Sequence, residues 1–352
     1  MNELRDIQVL VTGAGAKYTP GLFCCLRENG ERRIRIIGVD PTAGDDLTIQ
    51  QMVDDALPVP YVSDTQYINE LLYWCRIYHP DVIIPTISAE LPLLIARKRE
   101  FEAIGVKVSV SSMESVNTCI SKLKLYMAMI DAGIPTPQFM AIRSLVDFDE
   151  ALDVLGYPKK PVCIKATRLS GSRGVRILDP SKSRFDVLFG EKPNSIYTTA
   201  YDLRAILKER EAELPEMMAM EYLPGAEYSV DVLADHGKVL YICGRQSNTI
   251  LASIPQSATL YEDTRAYDIV TRVVETLGID GNADFDFRYN AQGEPVLMEC
   301  NPRVAATMAI FKEGGLNLPY LRVKQLLGEP LPEIQVRYGV KMVRRYHEYY
   351  SG

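Results

Sequence analysis

LMECNPRVA, Leu297 to Ala305, is the stretch on which the reading of this 352-residue chain turns. Taken as a strand, it sends Met298, Cys300 and Pro302 one way and Glu299, Asn301 and Arg303 the other. A carboxylate, an amide and a guanidinium then stand in a row on a single face. Such a row is either a solvated surface or the lining of a site, and its neighbours decide which.

The stretch belongs to a hairpin. NADFDFRY (282–289) and EPVLMECN (294–301) flank Asn290-Ala291-Gln292-Gly293, a composition suited to a turn. A tight turn there pairs Tyr289 with Glu294, sets Asp284 opposite Glu299, and sets Asn282 opposite Asn301. One face then carries Ala283, Phe285, Phe287, Tyr289, Val296, Met298 and Cys300. The other carries Asn282, Asp284, Asp286, Arg288, Glu299 and Asn301, with Leu297 as the exception. Directly opposed β-carbons stand about 4.5–5.5 Å apart, where like charges destabilise. Asp284 and Glu299 therefore call for a cation between them, and a hard dication such as Mg²⁺ takes such oxygens while leaving room for phosphate. Asn301 adds a neutral oxygen, and Arg303 a planar donor fork that suits phosphate.

A second element complements the first. KKPVCIKATRLSGSRGVRILD (159–179) reads as strand, loop, strand, with Lys165 near the end of the first strand. Its loop, TRLSGSRG (167–174), carries Gly171, Ser172 and Gly174 between Arg168 and Arg173. Glycines let backbone amides approach an anion closely. No GxxxxGK[ST] is present, nor any HRD or DFG stretch, so neither a P-loop nor a protein kinase is indicated. A basic, pliable loop and a dicarboxylate face are the two halves of a Mg–nucleotide clamp.

Composition narrows the class. Hydrophobic residues make up 47% and charged ones 24%, with net charge −7, the profile of a globular protein without a nucleic-acid surface. No apolar run has membrane-spanning length, and MNELRDIQVLVTG has no signal-peptide pattern. The seven cysteines include no CxxC pair, as expected of reduced thiols in a cytoplasmic protein. His79, His236 and His347 give no zinc spacing. Strands at 7–13, 34–40, 81–86 and 106–111 alternate with helical patterns at 67–78 and 91–105, implying an open, doubly wound parallel sheet. GAGAKYTPG (13–21) has Tyr18 where a dinucleotide fingerprint needs glycine. SVNTCISKLKLYMAMIDAGIP (115–135) reads as one helix, capped by Ser115 or Asn117 and closed at Gly133. Beyond it come antiparallel pairs: PVCIKAT with GVRILD, MAMEYL with EYSVDVLAD and KVLYICGRQ, and the hairpin above.

This order of motifs resembles the ATP-grasp superfamily, most closely one synthetase unit of carbamoyl-phosphate synthase large subunits, over about 115–325, with a looser likeness before it. ECNPR (299–303) resembles the family's E-[IVLM]-N-P-R strand, and NADF (282–285) its partner strand. SKLKLYMAMIDAGIPTP (121–137) is similar to the family's lysine-bearing segment, with Ser121 in place of the usual aspartate. PVCIKAT is similar to its second lysine strand, and MEYLPGAEYSVDVL (220–233) to the segment joining its lobes. The resemblance implies Asp284, Glu299 and Asn301 as ligands of Mg²⁺ (or Mn²⁺), and Lys122 and Lys165 on the ATP phosphates, with Gly171, Ser172 and Gly174 above them. It implies Glu221, Tyr222 and Leu223 at the adenine, Glu227 at the ribose, and Arg303 at the γ-phosphate or acyl phosphate. Arg245, in CGRQSN, would hold a substrate carboxylate or the acyl phosphate, or sit at the surface. Glu90 in PTISAELPLL either reaches an acceptor amine or supports a helix start. SNTILASIPQSATLYED (247–263) is expected to cross the site.

The expected architecture is α/β: an N-terminal doubly wound domain (1–115), an ATP-grasp domain of two α+β lobes (116–335, divided into 136–220 and 221–335), and a tail (336–352). The implied activity is an ADP-forming ligase that phosphorylates a small-molecule carboxylate and couples it to an amine. Neither nucleic acid nor membrane is a partner, and a homodimer stays open. The alternatives are an idle ATP-binding module and, with little support, an NAD(P)-dependent oxidoreductase.

Overall fold

The computed structural model describes residues 4–169, 171–192, 194–251, 254–345 and 347–350. Ser170, inside the glycine-bearing loop, residues 252–253 of the stretch 247–263, and Tyr346 and residues 351–352 of the tail lie outside them. No helix among the described residues is long and apolar enough to cross a membrane.

The first sheet contains β1 (Ile7–Thr12), β2 (Ile34–Asp40), β3 (Asp55–Pro58), β4 (Val82–Ile84) and β5 (Lys107–Val108), all parallel, in the order β3-β2-β1-β4-β5. Consecutive residues Val9, Leu10 and Val11 are all buried, as expected of a sheet covered on both faces. β3 is an addition to the sequence reading: DALP is too short and mixed to show a period. The strand expected at 106–111 contracts to two residues.

The helix expected over 115–135 is two helices, Met113–Cys119 and Lys122–Asp131. Ser112 caps the first, and Ser121 caps the second by accepting from the Lys124 amide. The break has a purpose in the packing. It makes Lys122 the first residue of a helix whose backbone amide donates to Thr167 O at 3.0 Å. Gly133 follows at φ +65, as the sequence suggested.

The second sheet contains β6 (Phe139–Ile142), β7 (Val162–Ala166), β8 (Val175–Leu178), β9 (Tyr197–Thr198) and β10 (Met217–Glu221), ordered β6-β10-β7-β8-β9. The MAMEYL strand therefore pairs with β6 and β7, not with EYSVDVLAD. Met217 to Met220 are all buried, which suits a central strand flanked on both sides.

The third sheet contains β11 (Glu227–Asp235), β12 (Lys238–Leu251), β13 (Ile254–Leu260), β14 (Gly281–Tyr289), β15 (Pro295–Asn301) and β16 (Lys341–Val343). Its order is β15-β14-β11-β12-β13-β16, antiparallel throughout. One face packs Tyr228, Val230, Val232, Phe285, Phe287 and Leu297 against the helices Lys122–Asp131 and Thr264–Leu277. Burying each such side chain contributes roughly 1.5–3 kcal/mol, so this face fixes which side of every strand is left for chemistry. The stretch 247–263 is largely the arms of the β12–β13 pair, and the tail strand β16 extends the same sheet.

Candidate active site

The first strand of the hairpin alternates as expected, but on the second Val296 and Met298 leave the expected core face, and the register is shifted. Tyr289 pairs with Pro295, Arg288 with Val296 and Phe287 with Leu297. Then Met298 is skipped, and Asp286 pairs with Glu299, Phe285 with Cys300 and Asp284 with Asn301. Asp284 is thus opposite Asn301 rather than Glu299, and Asn282 is not opposite Asn301. Two local features cause the shift. The loop closes at Asn290, whose amide donates to Glu294 O at 3.0 Å, with Gly293 at φ +76. The bulge at Met298 then inserts one residue. It also resolves the Leu297 exception: Leu297 is in the core, while Val296 and Met298 pack on the opposite side. Tyr126, from the helix that Lys122 begins, donates its hydroxyl to Met298 O at 2.9 Å. The bulge thus ties that helix to the strand bearing Glu299.

Asp284, Asp286, Glu299 and Asn301 share the face turned away from the core, and β11 adds Ser229 and Asp231 across from Asp286 and Asp284. Asp231 carries no assigned role in the sequence reading. Its signal is the run Ser229–Asp231, polar at every second residue of an otherwise apolar strand. Asp231 and Asp284 are only 3% and 4% exposed, which makes their charges expensive. Burial, then the Asp231 charge, opposed by Arg245 and Arg303, pushes the Asp284 carboxyl up to about 7. Burial opposed by Arg245 raises Asp231 to about 7 as well. Asp286 is raised well above the carboxylate range by burial and by Asp284 and Glu299, and Ser229 donates to it at 2.7 Å. Glu299 differs. Burial would raise it, yet Lys122 at 2.8 Å, with help from Lys165 and Arg303, holds it below its ordinary value.

The protein's own cations do not saturate this face. Arg245 reaches Asp231 at 3.1 Å and Asp284 at 3.4 Å, while Arg303 lies 4.0 Å from Asp284. Arg245 is buried and therefore not a surface residue. Crowded carboxylates, with Asp231, Asp284 and Asp286 raised in proton affinity and Glu299 kept ionised, beside an amide oxygen are a donor set that suits a hard dication. Asp284, Glu299 and Asn301 fit it.

Both candidate phosphate lysines converge on the same place. Lys122 bonds Glu299, and Lys165, fully buried, has its pKa lowered by burial against the pull of Cys163 and Glu299. Lys122 also donates to Leu169 O in the glycine-bearing loop at 3.3 Å. In that loop Gly171, Ser172 and Gly174 all have positive φ. Gly174 is sterically required, since a Cβ there would lie 2.7 Å from Ala166 Cβ. Ser121, standing where the family motif has aspartate, hydrogen-bonds Glu216 at 3.5 Å, and Thr167 bonds the same carboxylate.

Between the second and third sheets, Cys163, Ile177, Met220 and Leu223 form an apolar cluster joined by Tyr222, Val296 and Met298. The bulge that moves Val296 and Met298 out of the core thus sets them against this cluster. Glu221 accepts from the Gln138 amide at 2.9 Å, and Glu227 pairs with Arg288 at 2.8 Å, so both line this junction with their charges engaged.

Glu90 does not reach the cleft. It is fully buried, accepting from Thr12 Oγ1 at 2.6 Å, the Ile87 amide at 2.9 Å, the Thr86 amide at 3.1 Å and the Tyr67 hydroxyl. The supporting role considered for it is the one it has. Asp40 likewise serves a turn, accepting from Gly15 and Thr42. A separate group, Asp235, His236 and Asp280, lies partly in solvent, and Asp280 is committed to Arg322 at 2.9 Å.

Residues 213–347 match the family described as ATP-grasp in the biosynthetic pathway with Ter operon, and residues 9–109 match the PylC-like N-terminal domain. The carbamoyl phosphate synthase large chain of Rubrobacter xylanophilus is 25% identical over 273 residues, covering 73% of this chain and 23% of that protein. The chain thus spans about a quarter of the length of the curated relatives it matches. Among solved structures, the ADP complex of purK, N5-carboxyaminoimidazole ribonucleotide synthetase, aligns with TM-score 0.69 and 16% identity over 97% of this chain and 83% of that one. The biotin carboxylase domain of Hydrogenobacter thermophilus 2-oxoglutarate carboxylase, a complex with MgADP and bicarbonate, aligns with TM-score 0.70 and 16% identity over 95% and 73%.

Proposed function

We propose, for a chain that carries an ATP-grasp region behind a PylC-like N-terminal domain, that it is an ADP-forming ligase. It phosphorylates a small-molecule carboxylate with ATP and passes the acyl phosphate to an amine or similar nucleophile. The observation that carries this reading is the single face holding Asp284, Glu299 and Asn301, with Lys122 on Glu299 and Lys165 beside it.

Each residue's part follows from its place. The apolar cluster of Met220, Leu223, Val296 and Met298 takes the adenine, bordered by Glu221 and Tyr222, and Glu227 takes the ribose. Lys165 and Lys122 neutralise the phosphates, with Gly171, Ser172 and Gly174 covering them. Lys165, held at depressed proton affinity by burial, gains most when an anion arrives. Asp284, Glu299 and Asn301 hold Mg²⁺, which supplies charge neutralisation for phosphoryl transfer. Arg303 sits at the edge of that face, 4.0 Å from Asp284, and meets the transferring phosphoryl group. A carboxylate is a poor electrophile, and phosphorylation gives it a leaving group, so no side-chain nucleophile is needed. The division into residues 1–115, 116–335 and a tail accompanies this reading.

The test is nucleotide release against a panel of amino acids and small acids with MgATP. ADP and phosphate appearing only with a particular acid and amine supports the reading. AMP and pyrophosphate as products would overturn it.

A further inference from the structure

The tail strand brings an arginine to the same face. β16 pairs with β13 through Ser257↔Val343 and Ala258↔Met342, and the Arg344 amide extends the ladder to Gln256 O at 2.7 Å. Across the sheet, Ala258 pairs with Ser247 and Leu260 with Arg245. Opposed residues share a face and alternate residues repeat it. Arg344 therefore lies on the face of Met342, Ala258, Ser247 and Arg245. Its Nη2 donates to Ala306 O, three residues beyond Arg303. Three arginines from β12, the loop after β15, and the tail thus gather at one end of the cleft.

Their hydrogen bonding is incomplete there. The Nε atoms of Arg245 and Arg344 and the Oγ1 of Thr307 are buried with no hydrogen-bond partner among the described residues. Arg245 and Thr307 are 3% and 1% exposed. Arg245 has Asp231 and Asp284 as counter-ions, but Asp284 is a proposed metal ligand; Arg344 has no carboxylate in ion-pair range among the described residues. Burial and the neighbouring Arg245 charge lower the Arg344 proton affinity, so an anion would be stabilised there. Buried donors without acceptors cost free energy that a bound acceptor recovers. A guanidinium edge, Nε with one Nη, is the fork that matches a carboxylate.

We propose that Arg344 and Arg245, with the Thr307 hydroxyl, form a subsite for a substrate carboxylate that does not react, so that the substrates include an amino acid or dicarboxylic acid anchored by the C-terminal strand. The subsite rests on the ligase reading for its role, though its anion binding is measurable without it. Arg303 serves the transferring phosphoryl group, while the Arg245–Arg344 pair orients a dicarboxylic acid by its second carboxylate or an acceptor amino acid by its unreacted one.

The experiment is calorimetric titration of the MgADP-loaded full chain with succinate and, separately, acetate. Wild type, Arg344→Gln and Arg344→Lys are compared, with MgADP affinity measured for each. The result expected is succinate binding to wild type, weakened at least tenfold in Arg344→Gln and partly restored in Arg344→Lys, with MgADP affinity the same in all three. Equal succinate affinity in wild type and Arg344→Gln, or no succinate binding to wild type, would overturn the subsite. Loss of MgADP binding in wild type itself would instead strike the ligase reading. The titration repeated without nucleotide then decides the subsite by the same criteria.

Discussion

Two buried carboxylate environments in this molecule teach opposite lessons. Glu90 is enclosed in the first sheet and accepts from two hydroxyls and two backbone amides. Asp284, buried, and Asp286, half-buried, in the third sheet have between them, among the described residues, one serine donor and two arginines at 3.4 and 4.0 Å. Burial raises the proton affinity of all three. What separates them is supply. Where the fold provides a full set of donors, the carboxylate holds the fold together. Where it stops short, the deficit marks the place for an external cation.

The largest effect should come from breaking the undersupplied region. Glu299→Gln or Asp284→Asn should cut acid-dependent ADP release about 100- to 1000-fold, the scale for removing a charge-stabilising group. The Mg²⁺-induced rise in melting temperature should vanish with it, and Asp284→Asn, which relieves a buried carboxylate raised by burial, should not lower melting without metal. A variant that keeps full ADP release would erase the distinction.

Breaking the supplied region should act on stability alone. Glu90→Ala strands the Thr12 and Tyr67 hydroxyls and two amides, and should destabilise by roughly 2–4 kcal/mol in denaturant unfolding. ADP release per folded molecule, and the Mg²⁺ shift, should stay as in wild type. Glu90→Gln sharpens the contrast through pH. Glu90 has a folded pKa raised above its ordinary 4.5, so between those values the folded state binds more protons than the unfolded one. Its contribution is complete below 4.5 and is lost as pH rises through the folded value. The stability gap between wild type and Glu90→Gln should therefore narrow from pH 4.5 upward, then level off. A gap that widens would contradict the assigned direction.

These contrasts were only half visible in the chain. The period of two in NADFDFRY and ECNPR made the acidic face legible, because a core of Phe285, Phe287 and Cys300 leaves the carboxylates no other side. The lysines were legible through their segments. The pairing register was not, since a bulge at Met298 depends on Tyr126 taking the displaced carbonyl from a helix 172 positions earlier. The break before Lys122 was hidden because Ser121 both continues an apolar pattern and caps the next helix. Asp231 and Arg344 needed tertiary structure: one lies within β11 and the other just past β16, and only the sheet order places them beside Arg245. Glu90 looked as available as Asp284 in sequence, and only its four donors show otherwise.

The most direct measurement is anomalous diffraction at the manganese edge from crystals grown with MnADP. The account predicts a manganese peak coordinated by Asp284, Glu299 and Asn301, with the adenine against Met220, Leu223 and Met298. A nucleotide bound elsewhere, or one bound without metal between those three side chains, would contradict it.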